Sequence, residues 1–145
     1  MNYYFLKTNV HIWKNQFLED LDLILEQNGY IKIELNWENF ELIEEDKNHF
    51  TLKGFIEFGN ELVKKIIDLK IDNILIISDS TIGFYENKIN IFIKYKLLKE
   101  NIKCEINAIN GSGFKAEPNF YSRVKMNEYK NYNNVLFIGG WNDNF

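Results

Sequence analysis

The chain has 145 residues, which is enough for one domain with its own hydrophobic core. The composition is 46% hydrophobic and 16% aromatic, and this excludes disorder as a global description. The net charge is −4, Arg123 is the single arginine, and the lysines form no dense run. A nucleic acid is therefore not expected as the main partner.

The single cysteine and the short apolar runs of the sequence favour a protein of the cytoplasm. Cys104 is the single cysteine, so no internal disulfide can form, and its apolar surroundings favour a buried small hydrophobe over a nucleophile. The start of the chain lacks the pattern of a signal peptide, and no apolar run approaches the roughly 18 residues that cross a bilayer. With two histidines and one cysteine, we expect no transition-metal site, and we expect no cofactor.

The first half of the chain alternates between strand-like and helix-like segments. In the first helical segment Phe17, Leu21 and Ile24 share one face at spacings of three and four. In chain order the prediction is a strand over residues 3–10, a helix over 12–27, a strand over 30–35, a polar loop over 36–48 and a helix that begins near residue 51.

The second half continues the alternation. Residues 74–77, Ile-Leu-Ile-Ile, form a continuous aliphatic run that is mostly β-branched, which is typical of a central strand buried on both faces. This strand is followed by a helix over residues 88–100, a strand over 102–109, a helix over 119–130 and a strand over 135–138. The pattern predicts an α/β fold in three layers, with helices on both faces of a mostly parallel sheet of about five strands.

Polar and glycine-rich sequences follow the predicted strands. Three strands end in Ser-Asp-Ser, Asn-Gly-Ser-Gly and Gly-Gly-Trp-Asn-Asp, and a fourth leads on the same side to Asp-Lys-Asn-His. Ligands of open parallel sheets bind beyond the carboxyl ends of the strands, so these residues should meet at one edge. An acyl-transfer site needs such residues: a serine, a histidine base, a carboxylate, and N–H donors for the oxyanion.

Four blocks resemble the motifs of the SGNH hydrolases, also called the GDSL family. Residues 74–81 resemble the serine block, with Ser78 where the family usually has glycine, and residues 106–113 resemble the glycine block. Residues 137–143 contain the Gly-x-Asn-Asp of the third block, and residues 46–49 look like the last block, Asp-x-x-His before a closing helix. The resemblance implies a flavodoxin-like SGNH-hydrolase domain over residues 1–145.

The resemblance also implies three catalytic residues. Ser80 would be the nucleophile, His49 its base and Asp46 the carboxylate that orients the base. Glu44 and Glu45 compete with Asp46 for that last role, and all three could instead belong to a solvated acidic loop.

An oxyanion hole is implied as well. Its donors would be the backbone N–H of Ser80, the backbone N–H of Gly111 and the side-chain amide of Asn142. Gly113 is an alternative to Gly111, because the local spacing fits either glycine, and both could simply be turn glycines. Asp143 is expected to support its loop rather than take part in the chemistry.

The order of the blocks departs from the family. Asp-x-x-His usually comes last, whereas here it comes first, and this is typical of a circular permutation. An alternative is that the chain joins the tail of one such domain to the head of another. The helix that usually crosses between the strand before Asn142 and the strand over residues 3–10 is missing from the pattern. We therefore expect a homo-oligomer, an exchange of segments between chains, or another partner that covers the exposed sheet.

Each candidate also has a structural interpretation. Ser80 alone could be a helix cap and His49 alone a surface histidine, but the surrounding blocks favour catalytic roles. His11, which no motif surrounds, is interpreted as structural. Three aromatic residues are candidates either for a substrate pocket or for the core: Phe84, Phe114 and Trp141.

The expected function is that of a serine esterase. It would hydrolyse a small acyl ester, such as an O-acetyl group on a carbohydrate, through an acyl-enzyme on Ser80. One alternative is O-acyl transfer to a carbohydrate by the same site. The other is a non-catalytic binding or assembly module that keeps the fold, and the replaced glycine at Ser78 and the missing crossover favour it.

Overall fold

A computed structural model describes residues 1–8, 16–85, 87–126 and 131–143. Within these residues, strands and helices alternate as the sequence predicts. The strands are β1 (Asn2–Lys7), β2 (Ile31–Lys32), β3 (Asn73–Ser78), β4 (Lys103–Ala108) and β5 (Asn134–Gly139). The helices are α1 (Gln16–Gln27), α2 (Leu52–Asp68), α3 (Ser80–Gly83), α4 (Asn87–Lys99) and α5 (Phe120–Met126).

The five strands form one sheet in the order β2-β1-β5-β3-β4, and every neighbouring pair is parallel. The predicted fold class is confirmed. If β1 and β2 are counted after β5, the spatial order becomes the 2-1-3-4-5 order of flavodoxin-like sheets. The topology is therefore the one expected of such a fold when the chain is read from β3 onward.

Each face of the sheet has its own hydrophobic core. In β3, Ile74 and Ile76 belong to one core, Leu75 and Ile77 to the other, and all four are at most 1% exposed. This confirms β3 as a central strand buried on both faces. The first core includes side chains of α2 and α4, and the second includes those of α5 with Leu25 of α1 packed against it.

The face of β1 and β5 that the missing crossover helix would cover is buried by other side chains. On that face of β1 and β5, Phe5 and Val135 are fully buried and Phe137 is 3% exposed. Aromatic rings surround Phe137 at centroid distances of 5.9–6.3 Å, namely those of Tyr3, Tyr30, Phe114 and Phe120. The expected exposure does not occur at these residues, and association with a second chain stays a prediction.

Several element bounds differ from the prediction. Strand β1 ends at Lys7, and β2 is limited to the two residues that pair with β1 at the edge of the sheet. Ile24 is 48% exposed although the helical spacing groups it with the buried Leu21, whereas Leu25 packs against the second core. Helix α5 is described to Met126, and the rest of the predicted helix, residues 127–130, lies outside the described residues.

No helix among the described residues has the length and apolarity needed to cross a membrane.

Candidate active site

The parallel sheet brings the four motif blocks to one edge. The carboxyl ends of β3, β4 and β5 lead into residues 78–80, 109–113 and 139–143, and β2 leads into the loop that carries Asp46 and His49. Helix α3, which begins at Ser80, packs on the segment after β4: a Cβ added at Gly83 would meet Asn110 Oδ1 at 2.6 Å. The glycine at position 83 thus permits a close approach between the two segments.

Ser80, His49 and Asp46 form a continuous chain of hydrogen bonds. His49 Nε2 lies 3.0 Å from Ser80 Oγ, and His49 Nδ1 lies 2.8 Å from Asp46 Oδ2. An imidazole that donates from Nδ1 to the carboxylate has a lone pair on Nε2 directed at the hydroxyl. The arrangement can therefore transfer the serine proton to the histidine.

Asp46 is held in place by its own loop. Its Oδ1 accepts hydrogen bonds from the N–H groups of Asn48 at 2.9 Å and His49 at 3.2 Å. Burial by itself would raise the pKa of Asp46, but these bonds and the His49 ring hold that pKa below its usual value. The competing residues Glu44 and Glu45 are exposed, and the ring of His49 contacts Asp46 instead.

The His49 ring is fixed by packing as well as by hydrogen bonds. It stacks on the ring of Phe84 with centroids 4.1 Å apart, and Phe84 follows α3 directly. The backbone is tied on both sides, because Ile43 N–H donates to His49 O at 2.8 Å and Tyr85 O–H donates to Phe50 O at 2.7 Å. Phe84 and Tyr85 therefore connect the histidine loop to the segment that carries the serine.

Asp79 caps the helix that begins at Ser80. Its Oδ1 accepts the N–H of Thr81 at 2.8 Å, and the side chain is 1% exposed. Burial raises the pKa of Asp79 to about 6, the charge of Asp143 adds to the rise, and the bonds from Thr81 oppose it. The Ser80 N–H has no acceptor among the described residues. Asp79 is a site residue that none of the sequence motifs assigns, although its place directly before Ser80 was a usable signal.

Ser78, at the position where the motif that residues 74–81 resemble usually has glycine, is accommodated by a hydrogen bond. It is fully buried, and its hydroxyl donates to Ile138 O of β5 at 2.9 Å. A buried hydroxyl with a partner adds a bond between β3 and β5 instead of an unsatisfied polar group. A serine at this position is therefore compatible with the packing of the two strands.

The two candidate glycines differ in their hydrogen bonding. Gly111 has φ +81 in a turn closed by the bond from Ser112 N–H to Ile109 O, a backbone value that favours glycine. The Gly111 N–H has no acceptor in the described part of the chain. The Gly113 N–H already donates to Ala116 O at 3.0 Å, so it is not free for a ligand.

Asp143 supports the loop that follows Gly113. The carboxylate is fully buried and accepts three backbone N–H groups, those of Phe114, Lys115 and Ala116, at 2.7–2.8 Å. A Cβ at Gly113 would lie 2.5 Å from Asp143 Oδ1, so glycine is required by this contact. Asp143 thus has the supporting position that the sequence analysis expects.

Asn142 connects the remaining parts of the site. Its amide nitrogen donates to Ser112 O at 2.8 Å and lies 3.5 Å from Asp79 Oδ2. The predicted oxyanion residue is therefore held between the turn after β4 and the residue before Ser80. An amide nitrogen carries two hydrogens, so the bond to Ser112 uses one of them.

The other candidates have different positions. Phe84 is 36% exposed beside His49, whereas Phe114 packs against the core on Phe120, with ring centroids 4.8 Å apart. Burial raises the pKa of Cys104 to about 12, which keeps it a thiol rather than a nucleophile. His11 and the side chain of Trp141 lie outside the described residues.

Arg123 is the other residue that sequence reasoning missed. Its guanidinium is buried beneath the edge where Ser78, Asn107 and Ser112 lie, and it donates hydrogen bonds to all three. The only available signal was that the chain has a single arginine, placed ten residues after the glycine block.

Comparisons of the chain with protein-family models, curated proteins and solved structures find no match.

Proposed function

We propose that the protein is a serine esterase that hydrolyses a small acyl ester, such as an O-acetyl group on a carbohydrate. The observation that carries the proposal is the chain of hydrogen bonds from Asp46 through His49 to Ser80, with distances of 2.8 and 3.0 Å. A serine hydroxyl is a weak nucleophile until a base within hydrogen-bond reach accepts its proton. Such a chain is the arrangement that acyl transfer requires.

The reaction has two halves. Ser80 Oγ attacks the ester carbonyl carbon while its proton passes to His49 Nε2, and the tetrahedral intermediate collapses as the protonated histidine gives that proton to the leaving alcohol. Water then attacks the acyl-enzyme, His49 takes its proton, and the acid leaves as the proton returns to Ser80 Oγ. Asp46 keeps the imidazole oriented and stabilises its charged form.

Three donors would stabilise the oxyanion. The N–H groups of Ser80 and Gly111 have no acceptor in the described residues, so they are available to a substrate oxygen. Asn142 would contribute the amide hydrogen that Ser112 O does not use, and the substrate oxygen would replace its long 3.5 Å bond to Asp79 Oδ2. Gly111 is proposed over Gly113, because the Gly113 N–H is already bonded to Ala116 O.

We further interpret the chain as a circular permutation of the SGNH arrangement, located in the cytoplasm. The rotated order of the four blocks and the sheet order read from β3 onward both support the permutation. In this interpretation α2, followed by residues 69–72, joins the histidine block to the serine strand.

The test is the Ser80→Ala variant, assayed for hydrolysis of p-nitrophenyl acetate and for labelling by a fluorophosphonate. We expect the wild type to hydrolyse the ester and to be labelled on Ser80, and the variant to lose both. Ser122→Ala is the matched control, since this serine lies in α5 outside the hydrogen-bonded chain, and it should keep both properties.

Full activity in the Ser80→Ala protein would refute the assignment. A folded wild type with neither hydrolysis nor label would favour the binding module instead. Product analysis with a carbohydrate acceptor present separates hydrolysis from acyl transfer, because transfer would place the acyl group on the acceptor.

A further inference from the structure

We propose that Arg123 is a positioning residue that holds the Gly111 turn and the end of β3 in register for oxyanion binding. This inference rests on the proposed function and adds to it a residue that belongs to none of the four motif blocks. Arg123 lies in α5, which follows the Gly111 turn in the sequence, whereas the helix that begins at Ser80 precedes that turn.

The guanidinium of Arg123 contacts three segments at once. Nη2 donates to Ser78 O at 3.0 Å and to Asn107 Oδ1 at 2.8 Å, and Nη1 donates to Ser112 Oγ at 2.7 Å. Nε adds a longer bond to Asn107 Oδ1 at 3.3 Å. The residue is 2% exposed, so these bonds do not compete with bulk water.

The contacted residues are those that support the proposed oxyanion donors. Ser78 lies two residues before Ser80, and its carbonyl also accepts the N–H of Ile109 at 3.0 Å. Ser112 lies next to Gly111, and its own carbonyl holds the amide of Asn142. A shift of the guanidinium would therefore move the supports of all three donors together.

The chemistry of these contacts requires an arginine. A planar guanidinium presents several N–H groups in a fixed fork, whereas a lysine ammonium is a single compact centre on a flexible stem. Burial lowers the pKa of Arg123 to about 10 and the carboxylate of Asp79 opposes the shift, so the group stays charged at neutral pH. A buried cation is costly unless it is well bonded, and here carbonyl, amide and hydroxyl oxygens surround it.

A positioning role makes a kinetic prediction that a purely structural role does not. Donors that bind the oxyanion act mainly in the transition state, so their misplacement lowers kcat and leaves KM nearly unchanged. We expect Arg123→Lys and Arg123→Gln to lower kcat for p-nitrophenyl acetate by about 10- to 100-fold, in line with small displacements in other enzymes. The matched control is Lys64→Gln, which removes an exposed positive charge on α2 and should leave kcat unchanged.

Ser112→Ala keeps the inference testable if the arginine variants do not fold. It removes the acceptor of the Nη1 bond, together with the hydroxyl's own bond to Ile109 O at 2.6 Å, while leaving the Ser112 carbonyl in place. It should lower kcat in the same way by a smaller factor. Circular dichroism and thermal unfolding identify which variants are folded.

Folded Arg123 or Ser112 variants with the wild-type kcat would overturn the inference and leave the esterase proposal standing, even if they unfold at a lower temperature. A rise in KM at unchanged kcat would overturn it as well. Absence of hydrolysis and of fluorophosphonate labelling in the wild type would overturn both proposals.

Discussion

The side-chain amide of Asn142 donates a hydrogen bond to the backbone carbonyl of Ser112 at 2.8 Å. The bond joins the turn after β4 to the turn after β5, and the same nitrogen lies 3.5 Å from the carboxyl group of Asp79, next to Ser80. The segments that carry the proposed oxyanion donors are therefore fixed to one another. Donors that are already in place need no reorganisation when charge develops on a substrate oxygen.

Asn142→Ala should lower kcat for p-nitrophenyl acetate by about 10²- to 10³-fold, the usual effect of losing one oxyanion donor. KM should change little, because the donor acts mainly on the transition state. Asn60→Ala, an exposed change on α2, is the control and should keep the wild-type rate. A variant that changes only KM would place Asn142 in substrate binding instead.

Asp46→Asn should lower kcat by about 10- to 10³-fold. The loss of the corresponding carboxylate in a fully buried triad costs about 10⁴-fold because the imidazole adopts the wrong tautomer. We expect a smaller effect here because the Asp46 side chain is 37% exposed, so water can partly replace it. Steady-state kinetics test this prediction, and Glu44→Gln and Glu45→Gln serve as controls. If one of these controls loses more activity than Asp46→Asn, the orienting carboxylate is assigned wrongly.

Asp79→Asn should stabilise the protein above pH 6. The pKa of Asp79 is raised from 3.8 to about 6 by burial, so between these values the folded protein binds more protons than the unfolded chain. The free energy of unfolding therefore falls as the pH rises through this window and is level above it. An asparagine can still cap α3 and carries no charge, so the variant should gain up to about 3 kcal/mol at pH 7 and nothing near pH 3.

Urea unfolding of the wild type and Asp79→Asn across pH 3–8 measures this difference. Carboxylates that do not interact with Asp79 titrate in the same range, but their effects cancel when the two proteins are compared at each pH. A difference that does not change with pH, or one that grows as the pH falls, would contradict the predicted protonation of Asp79.

Gly113→Ala should lower the free energy of unfolding by about 1–3 kcal/mol, the usual cost of overpacking a buried contact. The added Cβ would lie 2.5 Å from Asp143 Oδ1, and three backbone N–H groups hold that carboxylate in place. In an Asp143→Ala background the same glycine substitution should cost much less, because the clashing group is gone. Urea unfolding of the wild type, the two single variants and the double variant tests this prediction. Strictly additive changes in the free energy of unfolding would show that the contact with Asp143 is not the cause of the loss.

Local patterns in the sequence determine the element types and the sheet. Helical spacing in α2 and the continuous aliphatic run of β3 are properties of neighbouring residues, and strict alternation of strand and helix requires parallel connections. The edge at which the motif blocks meet follows from that parallel order. Helix α3 was missed because its four residues, Ser80–Gly83, are too short to show a helical period.

Only the tertiary structure decided how the residues at that edge are paired. Asp46 rather than Glu44 or Glu45 contacts His49, and Gly113 rather than Gly111 has its N–H occupied. Both pairings join residues three positions apart, in loops that distant segments hold in shape: Phe84 stacks on His49, and Asp143 binds the backbone of residues 114–116. Such long-range contacts leave no periodic trace in the sequence. For the same reason, Arg123 is an ordinary surface-type residue in the sequence and a buried support of the site only in the fold.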